Sequence, residues 1–153
     1  MNPERSTKRV VTGRGADGRD AILQQGPIDP IAGMAGSANQ TRLHWATSDP
    51  VTLPHDGTDP VAGAGMSMPA PGETLFLQLT LVPHSATPIH ATPTLDYVAI
   101  LSGELWLVME DGGETRLTAG DTVVQNGTRH AWENRSAEPC TMMAVMVGAK
   151  VID

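Results

Sequence analysis

Short apolar runs, most of them closed by glycine, proline or other turn residues, fill residues 73–148 and constrain the fold most strongly. In Leu75 to Leu81 the leucines fall on every second residue, which is typical of a strand with one buried face. Further runs lie at 97–101, 104–110, 114–117, 121–125, 130–134 and 141–147. No window has the 3.6-residue period of an amphipathic helix. Short strands at this spacing predict an all-β sandwich or barrel.

The first half of the chain has weaker signals. Short strands are predicted at 9–12, 21–24 and 42–45, with a turn at 16–18 between the first two. Residues 47–72 contain five prolines and no sustained period of either kind. This stretch predicts a long irregular loop, and loops of such length are usually either functional lids or disordered. We expect it to cover one end of the barrel.

Composition narrows the class of protein. A chain of 153 residues is long enough for one domain with a sizeable core, and its aromatic content is only 3%. The formal charge of −7 excludes nucleic acid and anionic membranes as expected partners. No apolar run is long enough for a membrane helix, and the first residues do not have the pattern of a signal peptide. A cytoplasmic location is expected, which fits the single cysteine, Cys140.

One glycine pattern points to a nucleotide site but is better explained as a turn. Residues 13–18 match G-x-G-x-x-G and follow a predicted strand. A dinucleotide site also needs a helix directly afterwards, because the amide groups at its N-terminus hold the pyrophosphate. Gly26, Pro27 and Pro30 interrupt the chain too early for such a helix. The pattern therefore predicts a hairpin turn.

Two polar constellations occupy the second half. In the first, His90 lies two residues before Thr92, and six residues separate Asp96 from Gly103. The second is Gly127-Thr128-Arg129-His130-Ala131-Trp132-Glu133-Asn134. If that stretch is a strand, His130 and Trp132 point to the same face.

This spacing resembles that of the cupins. Their first motif is H-x-H, three or four residues, Glu, six residues and Gly, and their second contains G-x-x-H-x-x-x-N. His90, Asp96 and His130 fall on motif positions. The resemblance implies a single cupin barrel (a double-stranded β-helix or jelly roll) with N-terminal strands and a long irregular Pro/Gly-rich segment. It implies one domain, 1–153, divided into 8–46 (N-terminal strands and loop), 47–72 (irregular loop) and 73–148 (barrel with both motifs).

The departures from the family pattern affect the metal site. Thr92 stands where the second histidine is usual, and Asp96 is one methylene shorter than the usual Glu. The remaining set, His90, His130 and Asp96, has the composition of a two-histidine, one-carboxylate metal site. The resemblance thus implies a divalent metal ion (Fe, Mn, Ni, Co or Zn). The same departures would also fit a cupin whose metal site has been lost.

Further residues are candidates by their position near these motifs. Thr92, Asp96 and Tyr97 are the predicted proton-transfer residues. Trp132, Gln125 and His84 are predicted to line the substrate pocket. The alternative is core packing for Trp132, and a buried, hydrogen-bonded core residue for Gln125 and Tyr97. His84 could also replace the missing ligand, although Pro83 and Pro88 interrupt any strand that would join it to His90. His44 and His55 are interpreted as packing or surface residues.

The resemblance allows several functions. We favour a metal-dependent enzyme that acts on a carbonyl- or carboxylate-bearing small molecule without oxidation, as a decarboxylase, isomerase, cyclase or lyase. The alternatives are an Fe(II)-dependent dioxygenase, a metal-free epimerase-like enzyme that uses a histidine, a carboxylate and a tyrosine, and a ligand-binding cupin without turnover. The resemblance also implies a homodimer.

Overall fold

The structure, a computed structural model, describes residues 6–32 and 36–152. These residues contain eleven strands and no helix, so no helix among them could cross a membrane. The strands are β1 (Lys8–Arg14), β2 (Asp20–Pro27), β3 (Gln40–Thr47), β4 (Thr74–Leu81), β5 (Ser85–Ala86), β6 (Thr94–Ser102), β7 (Glu104–Met109), β8 (Glu114–Thr118), β9 (Thr122–Asn126), β10 (His130–Asn134) and β11 (Cys140–Gly148). The prediction of an all-β chain is confirmed. Residues 1–5, 33–35 and 153 of the predicted domain lie outside the described residues.

The strands form three antiparallel sheets. The larger barrel sheet has the order β3-β4-β11-β6-β9, and the smaller one has the order β5-β10-β7-β8. Strands β1 and β2 form a separate hairpin. The core includes residues from both barrel sheets, which are Leu43, Leu75, Leu77, Leu81, Val98, Ile100, Leu105, Leu117, Trp132, Cys140, Met142, Ala144 and Met146. The described strands include every predicted one, whereas the two-residue β5 is too short to give a periodic signal.

Strand β4 shows why the leucine alternation is informative. Leu75 and Leu77 are buried in the core, and they pair in register with Met146 and Ala144 of β11. Phe76 lies between them and points to the outer face of the five-stranded sheet. Burial of every second residue therefore divides this sheet into an inner and an outer face.

Gly103 makes the tight connection between β6 and β7. Its φ of 76° lies in the left-handed region that favours glycine. A Cβ at this position would lie 2.5 Å from the carbonyl oxygen of Pro139. Both the backbone conformation and the close approach of the neighbouring chain require glycine here.

The Pro/Gly-rich segment lies mainly against the N-terminal hairpin. Residues 48–73 contain no strand or helix, as predicted. Asp59 forms an ion pair with Arg9 of β1, and His55 packs edge-on against Trp45 of β3 with ring centroids 5.0 Å apart. These contacts place parts of the segment beside β1 and β3, and the expected cover over one end of the barrel stays a prediction. Gly13 and Arg14 end β1, and residues 15–19 form the turn to β2, which confirms that the glycine pattern belongs to a hairpin.

Candidate functional site

His90 and His130 form the centre of the site. They are joined by an isolated antiparallel bridge, in which each backbone N–H donates to the carbonyl oxygen of the other residue at 2.9 Å. Directly opposed residues of an antiparallel pair have side chains on the same face. The two imidazole centroids are 4.6 Å apart. The structure therefore brings together the two histidines that come from different motifs, 40 residues apart in the chain.

Both imidazoles are oriented in the same way. Nδ1 of His90 lies 2.8 Å from the carbonyl oxygen of Pro88, and Nδ1 of His130 lies 2.8 Å from that of Thr128. Because a carbonyl oxygen can only accept, Nδ1 must carry the hydrogen in each ring. In the neutral form each Nε2 therefore keeps a free lone pair, as a metal-binding imidazole requires. Burial lowers the pKa of His130, which favours that neutral form.

Asp96 is a buried carboxylate near this pair. It is only 7% exposed, and its Oδ1 is buried without a hydrogen-bond partner among the described residues. Burial raises the pKa of the Asp96 carboxyl, while the Thr94 hydroxyl and then the imidazole of His130 oppose that rise. A buried carboxylate oxygen without a partner is costly, so a proton donor or a cation is expected to satisfy it.

Gln125 lies beside Asp96 because their Cα atoms are partners in the β6–β9 ladder. Its side chain is buried, and its Oε1 accepts a hydrogen bond from the Thr128 hydroxyl. Gly127, with a φ of 65°, makes the turn that returns the chain toward β10. Thr128 therefore holds two site residues, since its carbonyl oxygen also orients His130.

Thr92 is half-buried just before β6, near the start of the Asp96 strand. Its hydroxyl oxygen accepts a hydrogen bond from the Thr94 hydroxyl at 2.8 Å. Its own hydroxyl hydrogen therefore stays available for another acceptor. Thr92 and Thr94 therefore lie near the Asp96 carboxylate. Thr92 is the residue at the position where the family pattern has a second histidine.

Trp132 belongs to the core and also contacts the site. Its side chain is buried, and its ring packs edge-on against His130 with centroids 5.3 Å apart. The shared strand face predicted for these two residues is present. Core packing of Trp132 is therefore observed, and its role as a wall of the substrate pocket stays a prediction.

Two predicted site residues lie outside this cluster. Tyr97 is 52% exposed on the outer face of the five-stranded sheet, opposite to Asp96, because successive residues of a strand alternate. This position gives no support for the proton-transfer role expected for Tyr97 beside Asp96. His84 is exposed in the turn between β4 and β5, where it has a φ of 54°. That turn separates it from the histidine bridge, which gives no support for a replacement ligand.

Two residues with clear contacts to the site were not predicted. Thr94 lies next to the Asp96 carboxyl, and Thr128 holds both Gln125 and His130. Strand parity would have identified Thr94, since residues 94 and 96 share a face. The contacts of Thr128 depend on the path of the turn after β9, which no periodic signal reports.

The donor set fits a metal ion by its chemistry. Two imidazole nitrogens with free lone pairs and one unpartnered carboxylate oxygen are ligands that first-row divalent ions accept. As positioned, however, the described residues contain no group of three or more His, Cys, Asp or Glu side chains that could hold a metal ion. The histidine pair is therefore assembled, whereas Asp96 stands nearby as the remaining donor.

Comparison with known proteins extends over most of the chain. The Cupin domain family matches residues 77–146. The phomopsin biosynthesis cluster protein C' of Diaporthe leptostromiformis is 30% identical over 141 residues, which cover 88% of this chain and 75% of that protein. The cupin-domain-containing oxidoreductase virC of Hypocrea virens is 24% identical over 155 residues, which cover 97% of this chain and 79% of that protein.

A solved structure shows the same fold at lower identity. The polyketide cyclase RemF from Streptomyces resistomycificus matches with a TM-score of 0.55 and 16% identity, over 78% of this chain and 72% of that one. This likeness concerns the fold alone. Together with the two antiparallel barrel sheets, it confirms the predicted double-stranded β-helix barrel.

Proposed function

Because the chain belongs to the cupin family, we propose that it is a metal-dependent enzyme acting on a small carbonyl- or carboxylate-bearing molecule. The proposed chemistry is non-oxidative: decarboxylation, isomerisation, cyclisation or elimination. The observation that carries this proposal is the orientation of His90 and His130. Both rings have Nδ1 bonded to a backbone carbonyl and Nε2 left free, at a centroid distance of 4.6 Å.

In this proposal the histidine pair holds a divalent ion through the two Nε2 atoms, and Asp96 supplies a carboxylate oxygen as the third donor. When bound, such an ion acts as a Lewis acid that polarises a carbonyl or stabilises an enolate. The bridge between the histidines keeps their rings in place before any ligand arrives. Trp132 packs against His130 and excludes water from one side of that ring.

Proton transfer is assigned to the beginning of β6. A carboxyl group whose pKa is raised by burial suits a general acid or base better than an ordinary aspartate does. Asp96 can therefore accept a proton from a substrate carbon and return it. The free hydroxyl hydrogen of Thr92 can be donated to a substrate oxygen. The Asp96→Asn variant separates the role of Asp96 as a metal ligand from its role as an acid–base group. If the variant keeps the metal but loses turnover, Asp96 acts as the acid–base group.

The metal content of the purified chain tests this proposal. Elemental analysis of protein prepared without chelators should find close to one Fe, Mn, Ni, Co or Zn ion per chain. His90→Ala and His130→Ala should each lose it, because each removes one of two nitrogens. His84→Ala is the matched control, since it removes an exposed histidine outside the site. A folded wild-type chain without metal, and unchanged by metal or chelator, would sink the proposal.

An Fe(II)-dependent dioxygenase is the second candidate. It is favoured by relatives whose names include the word oxidoreductase, such as virC at 24% identity. Two histidines and one carboxylate leave coordination positions open for substrate and dioxygen. Oxygen consumption by the Fe(II)-loaded chain with candidate substrates distinguishes the two proposals. Turnover that continues without oxygen, and with a redox-inert metal, supports the non-oxidative reaction.

A further inference from the structure

A recess lies on the outer side of the five-stranded sheet. We call it the outer cleft, and its walls come from β1, β3, Phe76 of β4 and the Pro/Gly-rich segment. It has a volume of about 630 Å³, which is within the range of small-molecule sites. Phe76 points away from the core leucines on either side of it, so the outer cleft and the histidine pair lie on opposite sides of β4.

His44 is the residue that points to a ligand. It lies at a bulge in β3, where Leu43 pairs with Leu77 but Trp45 pairs with Phe76. A bulge redirects a side chain, and here the His44 ring contributes to the cleft wall. His44 is only 6% exposed, and its buried Nε2 has no hydrogen-bond partner within 3.5 Å among the described residues. The buried Gln78 side chain lies near the ring and weakly opposes the lowering of its pKa. A buried nitrogen without a partner destabilises the protein until a hydrogen-bonding group reaches it.

Aromatic rings shape the wall around that nitrogen. The ring centroids of Phe76 and His44 are 4.9 Å apart, and the two ring planes make an angle of 41°. Trp45 packs edge-on against His55. Flat apolar molecules pack well against such rings, with centroid distances of about 4.5–7 Å. Leu53 also lines the cleft and is 83% exposed. Most of this apolar side chain is therefore left uncovered by the described residues.

The Arg9 and Glu73 side chains that line the cleft already have hydrogen-bond partners. The Arg9 guanidinium binds the Asp59 carboxylate and also donates to the carbonyl oxygen of His44 at 2.9 Å. The Glu73 carboxylate accepts from the Ala70 backbone N–H at 2.9 Å. Burial and the nearby charge of Arg9 lower the pKa of His44, so its ring is neutral at neutral pH. These contacts favour an uncharged ligand.

We propose that the outer cleft binds a neutral, flat, mainly apolar molecule of two or three fused rings that carries one hydroxyl or N–H group. The rings lie against Phe76 and Trp45, and the polar group makes a hydrogen bond with the His44 imidazole, which lines the cleft. The neutral imidazole either accepts from that group or donates to it, and a hydroxyl can take both roles. This site is separate from the histidine pair and needs no metal ion.

Two matched probes test the proposal in the full chain. 2-Naphthol has the fused rings and one hydroxyl, whereas naphthalene has the rings alone. The readout is the NMR signal of the indole N–H groups, of which the chain has three, from Trp45, Trp106 and Trp132. Trp45 lines the outer cleft and Trp132 contacts His130, so the signals distinguish the two sites. We expect a saturable shift of the Trp45 signal, with 2-naphthol about five-fold tighter than naphthalene.

Two pairs of measurements localise the binding. His44→Phe keeps an aromatic ring but removes the nitrogen, so the preference for 2-naphthol should fall below about two-fold. Thr12→Phe places a ring at the cleft lining on β1 and should weaken both probes. Thr115→Phe is its control, because it makes the same change at an exposed position of β8. This comparison of surface variants stands even if His44→Phe does not fold.

Several results would overturn the proposal. The first is no saturable shift of the Trp45 signal up to the solubility limit of the probes. The second is equal affinity of wild-type protein for both probes, because His44 would then not be recognised. The third is a shift of the Trp132 signal in place of Trp45. The last is a Trp45 signal that moves on dilution without any probe, because a second copy of the chain would then occupy the cleft.

Discussion

Asp96 and Tyr97 are consecutive residues of β6 that lie on opposite faces of the five-stranded sheet. The Asp96 carboxyl points inward toward the histidine pair, whereas more than half of the Tyr97 side chain is exposed on the outer face. A metal-free mechanism that needs both side chains at one substrate is thus disfavoured. The two residues instead lead to separate predictions, one for the interior and one for the surface.

Asp96→Asn should stabilise the metal-free protein at pH 7 by about 1 kcal/mol, because it removes a buried charge. Burial raises the pKa of Asp96 in the folded protein. The carboxyl therefore does not lower the free energy of unfolding at pH values below its pKa in the unfolded chain, and the loss of stability develops as the pH rises through its pKa in the folded protein. Chemical unfolding in the presence of a chelator measures this effect at pH 7. In metal-loaded protein the ranking should reverse, since the variant loses a donor. A less stable metal-free variant at pH 7 would contradict the prediction.

The outer face around Tyr97 is the surface where we expect two copies to meet. Val145, Tyr97 and Val124 pair in register across β11, β6 and β9, and they form an apolar row on that face. Exposed apolar patches of this kind mark interaction surfaces.

Val124→Glu should therefore shift sedimentation from dimer toward monomer, because it places a charge where Val124 is 59% exposed. Thr115→Glu on the exposed strand β8 is the control and should leave the sedimentation unchanged. A wild-type chain that sediments as a monomer at high concentration would refute the homodimer.

His44→Phe should stabilise the protein more at pH 5 than at pH 7.5. Burial lowers the pKa of His44, so the unfolded chain takes up a proton near the ordinary value while the folded chain does not. Wild-type stability due to this group is fully present above the unfolded pKa and is lost as pH falls toward the folded pKa. Urea unfolding of both proteins at the two pH values isolates His44 from the other histidines. An equal difference at both pH values would contradict this assignment.

Gly103→Ala should destabilise the fold by about 2–5 kcal/mol, from backbone strain and the close contact with Pro139. Gly112→Ala is a matched control, because Gly112 also has a positive φ, 87°, but a Cβ there would meet nothing within 4 Å. That variant should lose only about 1–2 kcal/mol. Chemical denaturation measures both, and equal losses would show that the Pro139 contact is unimportant.

The strand pattern was predictable because it depends on near neighbours in the chain. Alternation of leucines in β4 and glycine punctuation after β6 reflect local geometry that any buried sheet imposes. Motif spacing also predicted that His90 and His130 belong to one site. The same alternation already separates Asp96 from Tyr97, but the expectation for Tyr97 relied on its position beside the motif.

Other features could not be read from local patterns. The bulge at His44 inserts one residue into β3 and changes which side chains point outward, and it appears only when β3 pairs with β4. The position of residues 48–73 against the hairpin depends on contacts such as Arg9 with Asp59, which are 50 residues apart. Pairings over such distances have no periodic signal in the chain.

The sequence by itself thus determined the all-β class, the strand positions and the two histidines of the site. Only the tertiary structure decided that both imidazoles present a free Nε2, that Tyr97 faces away and that an outer cleft surrounds His44. The physical reason is the difference in range. A strand's period follows from the backbone geometry of neighbouring residues, whereas a site forms only when sheet closure brings distant residues into contact and fixes their hydrogen bonds.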